Sequence, residues 1–369
     1  METNKNKNNL FQITPLKIQL LVMGGVLILG GIIAWVFIGT TLVQAISLFS
    51  DQADNQVAVK TLESEPESLT EARLLDGRIV AKSDYDLLPV GVMIENLPSV
   101  RPQSGLSRAQ VVYEALVEGF STRFLVVYDP KELSDTIGPV RSARPYYLEW
   151  ISELNGLYVH AGGSPDALAA VDGLGIRDLN ALSKGQYFWR DHAQAAPHNL
   201  YTSKNLLDLA VRDLEYQDLK SEFEPWLYQD DPLLAERPED AKKVIIKFSG
   251  YSYEVEYQYD RESDEYLRFN AGQAHLDRNT GEQLRAKNVI VVEIPPVVDI
   301  GEKGRLTFDI SGEGRALVAR HGEAIEGTWK KPDRLAKTRF YDQTGKEIEL
   351  GRGSTWIHIV PETQEFGVE

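Results

Sequence analysis

The sequence predicts an α/β domain followed by a mostly antiparallel β domain, preceded by one transmembrane helix and a disordered linker. Three observations carry this. An uncharged run stands near the N-terminus, LLVMGGVLILGGIIAWVFIG from Leu20 to Gly39. Between Tyr85 and Gln217 short apolar runs alternate with stretches of helical spacing, the pattern of strands interleaved with helices. Beyond Asp240 polar and apolar residues alternate one by one, as in Tyr251, Tyr253, Val255, Tyr257 and Tyr259, the pattern of a strand with two distinct faces.

Length and composition set the bounds. A chain of 369 residues has room for two domains at ~100–200 residues each. A formal charge of −16 argues against a nucleic-acid partner, because a phosphate backbone rewards a basic face. There is no cysteine. That excludes disulfides, thiolate metal sites, a cysteine nucleophile and a lipid carried on cysteine.

The elements follow in order. Residues 1–19 are weakly basic, with Lys5, Lys7 and Lys17 against Glu2, and read as a cytoplasmic tail. Residues 20–43 are the anchor, since twenty apolar residues at ~1.5 Å each span the ~30 Å of a bilayer core. The first charges beyond it are Asp51 and Asp54, so the positive flank is N-terminal and the folded chain is expected outside the cytoplasm. A cleaved signal peptide, with Val43-Gln44-Ala45 as its cut site, is the competing reading; the long apolar run favours an uncleaved anchor. Residues 44–84 read as an acidic linker, with ESEPESLTE too polar to bury much.

Within the α/β domain, residues 85–220, strands are expected at Leu88–Ile94, Val111–Val117, Phe124–Tyr128 and Leu157–His160. Helices are expected at Tyr146–Leu154, at Pro165–Leu174 with Ser164 as cap, and at Ser203–Leu214. Residues 221–241, acidic and proline-bearing, form the interdomain connection. The β domain is 242–369, with strands expected at Val244–Phe248, Tyr266–Phe269, Val289–Ile294, Leu306–Ile310, Ala316–Ala319, Thr338–Tyr341, Glu347–Leu350 and Trp356–Val360.

Longer motifs now become recognisable. PVGVMIEN, RPQSGLSRAQVVYEALVEG, TRFLVVYDP, IGPVRSARPYYLEW, VHAGGSPDAL, YFWRD and APHNLYTS, with the later GTWKKP, RFYDQTGKEIEL and GSTWIHIVP, resemble the YerB-like family of bacterial envelope proteins. The resemblance spans about Leu88 to Pro361. It implies an extracytoplasmic, membrane-attached protein of two domains and brings no chemistry with it. Members that are lipoproteins attach through a lipidated cysteine; this chain has none and would use Leu20–Gly39. A second similarity is of layout alone: TRFLVVYDP, IGPVRSARP and a Gly-Gly-Ser-Pro helix start follow the order seen in LytR-CpsA-Psr transferases, which use arginines on a polyprenyl-linked pyrophosphate.

The candidate site centres on Arg141 and Arg144, followed by Gly162, Gly163, Ser164 and Asp166 at a helix start. Backbone N–H groups there are open, glycine allows close approach, and guanidinium groups suit phosphate or carboxylate. Arg101, Arg108 and Arg123 stand in loops or at element ends, and Arg190, Asp191 and His198 complete the ligand-binding candidates. The opposing reading pairs these arginines with Glu95, Glu114, Glu118 and Glu149. Tyr187, Phe188 and Trp189 suit a glycan wall or core packing closed by an Arg190–Asp191 pair. His160, His192 and His198 lack a close metal-ligand spacing, so no metal is expected. Ser164 with His160 lacks a nucleophile elbow and reads as a helix cap. Asp277 to Glu282 is similar in composition to a calcium loop but lacks its spaced acids, and reads as a turn.

These readings lead to a membrane-anchored envelope protein that binds an anionic, phosphate-bearing glycan or an envelope protein partner without cofactor. One alternative is an enzyme transferring or hydrolysing a phosphate-linked glycan, for which Mg²⁺ would enter. The other is a scaffold acting through the β domain, which predicts arginines paired to carboxylates.

Overall fold

The computed structural model describes residues 68–300 and 302–369. The tail, the apolar run and most of the acidic linker lie outside the described residues. Among the described residues no helix is long and apolar enough to cross a membrane. The expected linker ends early. Thr70–Ala72 and Ile79–Ala81 pair as a hairpin, and Arg73 within it is buried against Asp76 and Asp129.

The main strands are β1 (Val90–Glu95), β2 (Val111–Leu116), β3 (Thr122–Tyr128), β4 (Leu157–His160), β5 (Arg177–Asn180), β6 (Val244–Lys247), β7 (Glu254–Asp260), β8 (Glu265–Asn270), β9 (Asn288–Ile294), β10 (Gly312–Arg320), β11 (Glu323–Lys331), β12 (Arg339–Asp342), β13 (Thr355–Pro361) and β14 (Glu365–Val368). The helices are α1 (Pro145–Glu153), α2 (Pro165–Gly173) and α3 (Lys204–Asp213). Ser164 accepts a hydrogen bond from the Ala167 N–H, and Ser203 from the Leu206 N–H. Each thus satisfies an otherwise open donor at its helix start, worth about 1 kcal/mol.

Helices are few and the sheets are mixed. One ten-stranded sheet runs β12-β11-β10-β9-β13-β2-β3-β1-β4-β5. Half of these strands come from each side of the connection. The seam is parallel: β13 pairs with β2, Thr355 opposite Val111 and His358 opposite Glu114. The second half is mostly antiparallel, and β14-β6-β7-β8 forms a smaller antiparallel sheet. Alternation along β2 explains the layering. Val111, Tyr113 and Ala115 face the core under α1 and α2. Val112 and Leu116 face the core under α3 and the small sheet.

Several elements differ from expectation. Tyr251 and Tyr253 sit in a 3₁₀ turn, and the strand starts only at Glu254. Of the strand expected at Leu306–Ile310, only Leu306–Thr307 pairs. The expected Glu347–Leu350 strand shrinks to Leu350–Gly351, which pairs with Tyr228–Gln229 of the connecting segment. That segment is therefore built into the fold, and its Trp226 is buried. β11 escapes sequence reading because its residues are mostly half-exposed and Gly327 interrupts them. That glycine is required: a Cβ would lie 2.0 Å from the Tyr341 carbonyl oxygen across the ladder.

Candidate functional site

The loop carrying Arg141 and Arg144 is laid down by backbone pairing. Arg141 N–H donates to Met93 O at the end of β1, and Ala161 N–H donates to Arg141 O. Ala143 bridges Gly163 in parallel. Arg141, Arg144, Gly162, Gly163 and Ser164 are thus brought together beyond the ends of β1 and β4. Gly162 takes a left-handed conformation at φ +65° and donates its N–H to Asn180 Oδ1 at 2.9 Å.

The arginines of this loop are committed to groups of the fold. Arg141 Nε lies 3.2 Å from Glu95 Oε1, and its Nη1 donates to Pro197 O at 3.1 Å. Arg144 donates to Glu118 Oε1 and Ala143 O. Arg123 is buried, donates to Ser142 O at 2.7 Å and lies 3.8 Å from Glu118 Oε2. Burial pushes the Glu118 carboxyl up, but the Arg144 bond and charge more than offset this and hold it below the usual range.

The remaining candidates divide. His198 reaches the cluster, with Nδ1 2.9 Å from Glu95 Oε2. Asp166 is exposed on the first turn of α2 and pairs with no arginine of the cluster. Arg190 and Asp191 do not pair with each other. Arg190 donates to Asn199 Oδ1 at 2.8 Å, and Asp191 accepts from Ala193 N–H at 2.9 Å. Tyr187 and Phe188 are core residues, whereas Trp189 is partly exposed and stacks on Tyr201. Arg101 lies apart, donating to Asn96 and to Ser252 O; burial lowers its pKa to about 10.

A polar network missed by sequence reading lies at the seam. Glu114 and Arg268 have no exposed side-chain surface and pair at 2.8 Å. Glu114 also accepts from Asn96 Nδ2 at 3.1 Å and Thr122 Oγ1 at 2.8 Å, and lies 3.2 Å from His358 Nδ1. Arg268 donates to Tyr257 Oη at 2.7 Å and His275 Nδ1 at 3.0 Å. Its guanidinium lies 4.6 Å from the Trp356 ring centre. Burial alone would raise the Glu114 pKa, but Arg268 and His358 overcome it and hold it well below the usual range. A signal was present in the sequence: Glu114 and His358 are charged or polar residues inside otherwise apolar runs that form fully buried strands, and Arg268 sits at an inward position of an alternating strand.

Asp277 adds a further cross-tie. Its carboxylate accepts from Gly105 N–H at 3.3 Å and Ser107 N–H at 2.8 Å, so 277–282 is a turn clamped onto the first half. The seam therefore joins residues far apart in sequence through paired buried groups.

Comparison with known proteins places this architecture. Residues 75–217 match the family described as "Protein of unknown function (DUF3048) N-terminal domain", and residues 244–357 match the DUF3048 C-terminal domain. The chain belongs to the DUF3048, YerB-like family. It is 35% identical over 276 residues to the Bacillus subtilis (strain 168) protein named "Putative lipoprotein YerB", across 74% of this chain and 81% of that protein. The crystal structure of Bacillus subtilis YerB superposes with a TM-score of 0.72 at 32% identity, covering 80% of this chain and 99% of that one. Glu114 lies in the matched N-terminal domain and Arg268 in the matched C-terminal domain. Their ion pair therefore joins the two YerB-like domains.

A second cluster in this YerB-like chain has a metal-like donor set. Asp231, Asp264 and His321 offer ligand atoms within 4.8 Å of one another. Lys287 Nζ lies 2.8 Å from Asp231 and 2.6 Å from Asp264. The lysine ammonium thus supplies the positive charge that a cation would bring. Burial raises the Asp264 pKa, and bonds from His321, Lys287 and Tyr259 reverse this and hold it far below the usual range.

Proposed function

We propose that this chain is a membrane-tethered, extracytoplasmic binding protein that engages a partner through its surface and turns nothing over. The observation that carries this reading is the pairing of the candidate arginines with carboxylates of their own fold, Arg141 with Glu95 and Arg144 with Glu118. An anionic glycan arriving there would compete with carboxylates already in place. Pairing of this kind is what the scaffold reading requires, and it weakens phosphate capture and transferase chemistry alike. The tether rests on the apolar run Leu20–Gly39 and on the relative named a lipoprotein. In the absence of cysteine, that run is the natural attachment.

The test is calorimetric titration of residues 68–369, a single compact unit, with pyrophosphate and with a polyprenyl-phosphate analogue, with and without Mg²⁺. No saturable binding is expected. The Arg141→Ala/Arg144→Ala variant should melt lower than the parent. Binding that disappears in that variant while its melting stays unchanged would overturn the proposal in favour of an anionic site.

A further inference from the structure

A cleft of about 880 Å³ lies between the end of α1, the connecting segment near Phe223 and the loop joining β11 to β12. Its apolar lining includes Phe223, Pro332, Leu335, Ala336 and Tyr341. That volume falls within the ~300–1,000 Å³ usual for small-molecule sites.

The cations of this cleft are unequal. Lys330 pairs with Glu313 at 3.1 Å. Arg339 is held by Glu347 at 2.8 Å and Glu224 at 3.1 Å. The neighbouring buried Lys331 bonds Glu153 at 2.9 Å, Arg334 O at 2.9 Å and Ala336 O at 2.7 Å. Lys337 differs from all three. It is 9% exposed and lines the cleft, and its Nζ, itself with almost no exposed surface, has no hydrogen-bond partner. It rests 3.7 Å from the ring centre of Trp226 and 4.5 Å from that of Phe223. Trp226 is pinned by its own N–H to Thr338 O at 2.8 Å. Ring faces attract the ammonium but accept none of its donors in the ordinary way. A buried ammonium with open donors is costly unless an acceptor arrives.

We propose that this cleft is a binding site for a small monocarboxylate with a flat apolar body, its carboxylate meeting the Lys337 ammonium as that group turns from the Trp226 face into the cleft, and its body against Phe223, Leu335 and Tyr341. The charge count selects a monoanion. Lys337 is the one cleft cation without a carboxylate of its own, so it neutralises one negative charge. A dianion would leave a second charge facing Glu222, Glu224 and Glu313. The site stands apart from the Arg141 loop, and the proposal holds whether or not the partner-binding reading does.

Burial lowers the Lys337 pKa to about 7, with Glu153 opposing and Arg339 and Lys331 assisting the shift. Glu153 acts on it from α1, Lys331 from β11 and Arg339 from β12, while Glu222, Glu224 and Glu313 line the same cleft. A bound carboxylate favours the charged amine. Affinity should therefore weaken about tenfold between about pH 6 and about pH 8, as the unliganded amine loses its proton.

The test is calorimetric titration of residues 68–369, the compact unit whose relative was crystallised over nearly the same span. Phenylacetate is the probe and phenylacetamide its neutral control. Phenylacetate should bind at least about tenfold tighter than the amide, a gap equivalent to one unit charge interaction of ~1.4 kcal/mol. Lys337→Met should erase that gap without lowering the melting temperature. Equal binding of acid and amide by the wild-type protein, no binding of the acid, or an unchanged gap in Lys337→Met would each overturn the proposal. The wild-type comparison and its pH dependence decide the matter even if the variant does not fold.

Discussion

Breaking the Glu114–Arg268 pair should destabilise the whole described unit at once. Both side chains are without exposed surface and lie 2.8 Å apart. Glu114→Gln keeps the shape and most hydrogen bonds but leaves the guanidinium charge uncompensated. Arg268→Met leaves the carboxylate uncompensated and removes the bonds to Tyr257 and His275. Uncompensated charge of this kind costs ~3–5 kcal/mol. The double variant removes both charges together, so its cost should fall short of the sum of the singles by about 1–3 kcal/mol. Urea unfolding of residues 68–369, followed by circular dichroism and tryptophan fluorescence, measures this. The two probes should give one coincident transition in the parent, because the pair joins strands of one unit. Single variants that each lose less than about 1 kcal/mol, or a double variant that loses the full sum, would refute the reasoning. The pH dependence adds a sign. Glu114 is held below its ordinary value of 4.5, so its contribution is complete above that pH and fades as the pH falls below it. The Glu114→Gln protein should therefore show a shallower loss of stability on acidification than the parent.

Two further outcomes follow from single contacts and a third from the charge of the N-terminal tail. Lys287→Ala removes the ammonium standing between Asp231 and Asp264, and Zn²⁺ should then raise the melting temperature of the variant alone. A Zn²⁺-induced rise in the parent, or none in the variant, would contradict the reading of Lys287 as the resident cation. Gly327→Ala places a Cβ 2.0 Å from the Tyr341 carbonyl oxygen, and should cost at least ~1–3 kcal/mol by overpacking the β11–β12 ladder; a neutral effect on urea unfolding would show that the ladder yields. A reporter active only outside the cytoplasm, fused after Glu369, should be active in intact cells; activity only from a cytoplasmic reporter would reverse the orientation inferred from Lys5, Lys7 and Lys17.

Much of the fold was legible because the relevant signals are local. Ser164 before Pro165 gave one helix start and caps it as expected; the last helix was expected to start at Thr202 or Ser203, and Ser203 is its cap. Leu157–His160 was read to the residue. The seam was not legible, because the parallel pairing of β13 with β2 joins positions such as His358 and Glu114 that lie far apart in the chain. The same distance hid the partners of the arginines. Arg141 and Arg144 could be placed beside Gly162 from their turns and helix starts, but Glu95 as the partner of Arg141 is set by loop pairing. Lys337 gave no signal of its own. Its isolation depends on Trp226, within a segment that composition marks as a linker, folding back over it.

The shared sheet constrains how such a molecule can work. Two domains joined by a flexible segment can close on a ligand as a hinge. Here β13 and β2 exchange backbone hydrogen bonds across the domain boundary, Asp277 holds Gly105 and Ser107, and the connecting segment adds a parallel bridge to Leu350–Gly351. Opening the domains would break a ladder in the middle of a ten-stranded sheet and expose a buried ion pair. Recognition is then confined to surfaces and clefts already formed in the resting fold. Among these, the cleft at Lys337 combines apolar walls with a charge left without a partner. The Arg141 loop, with its cations already answered by carboxylates, is better suited to holding its own shape.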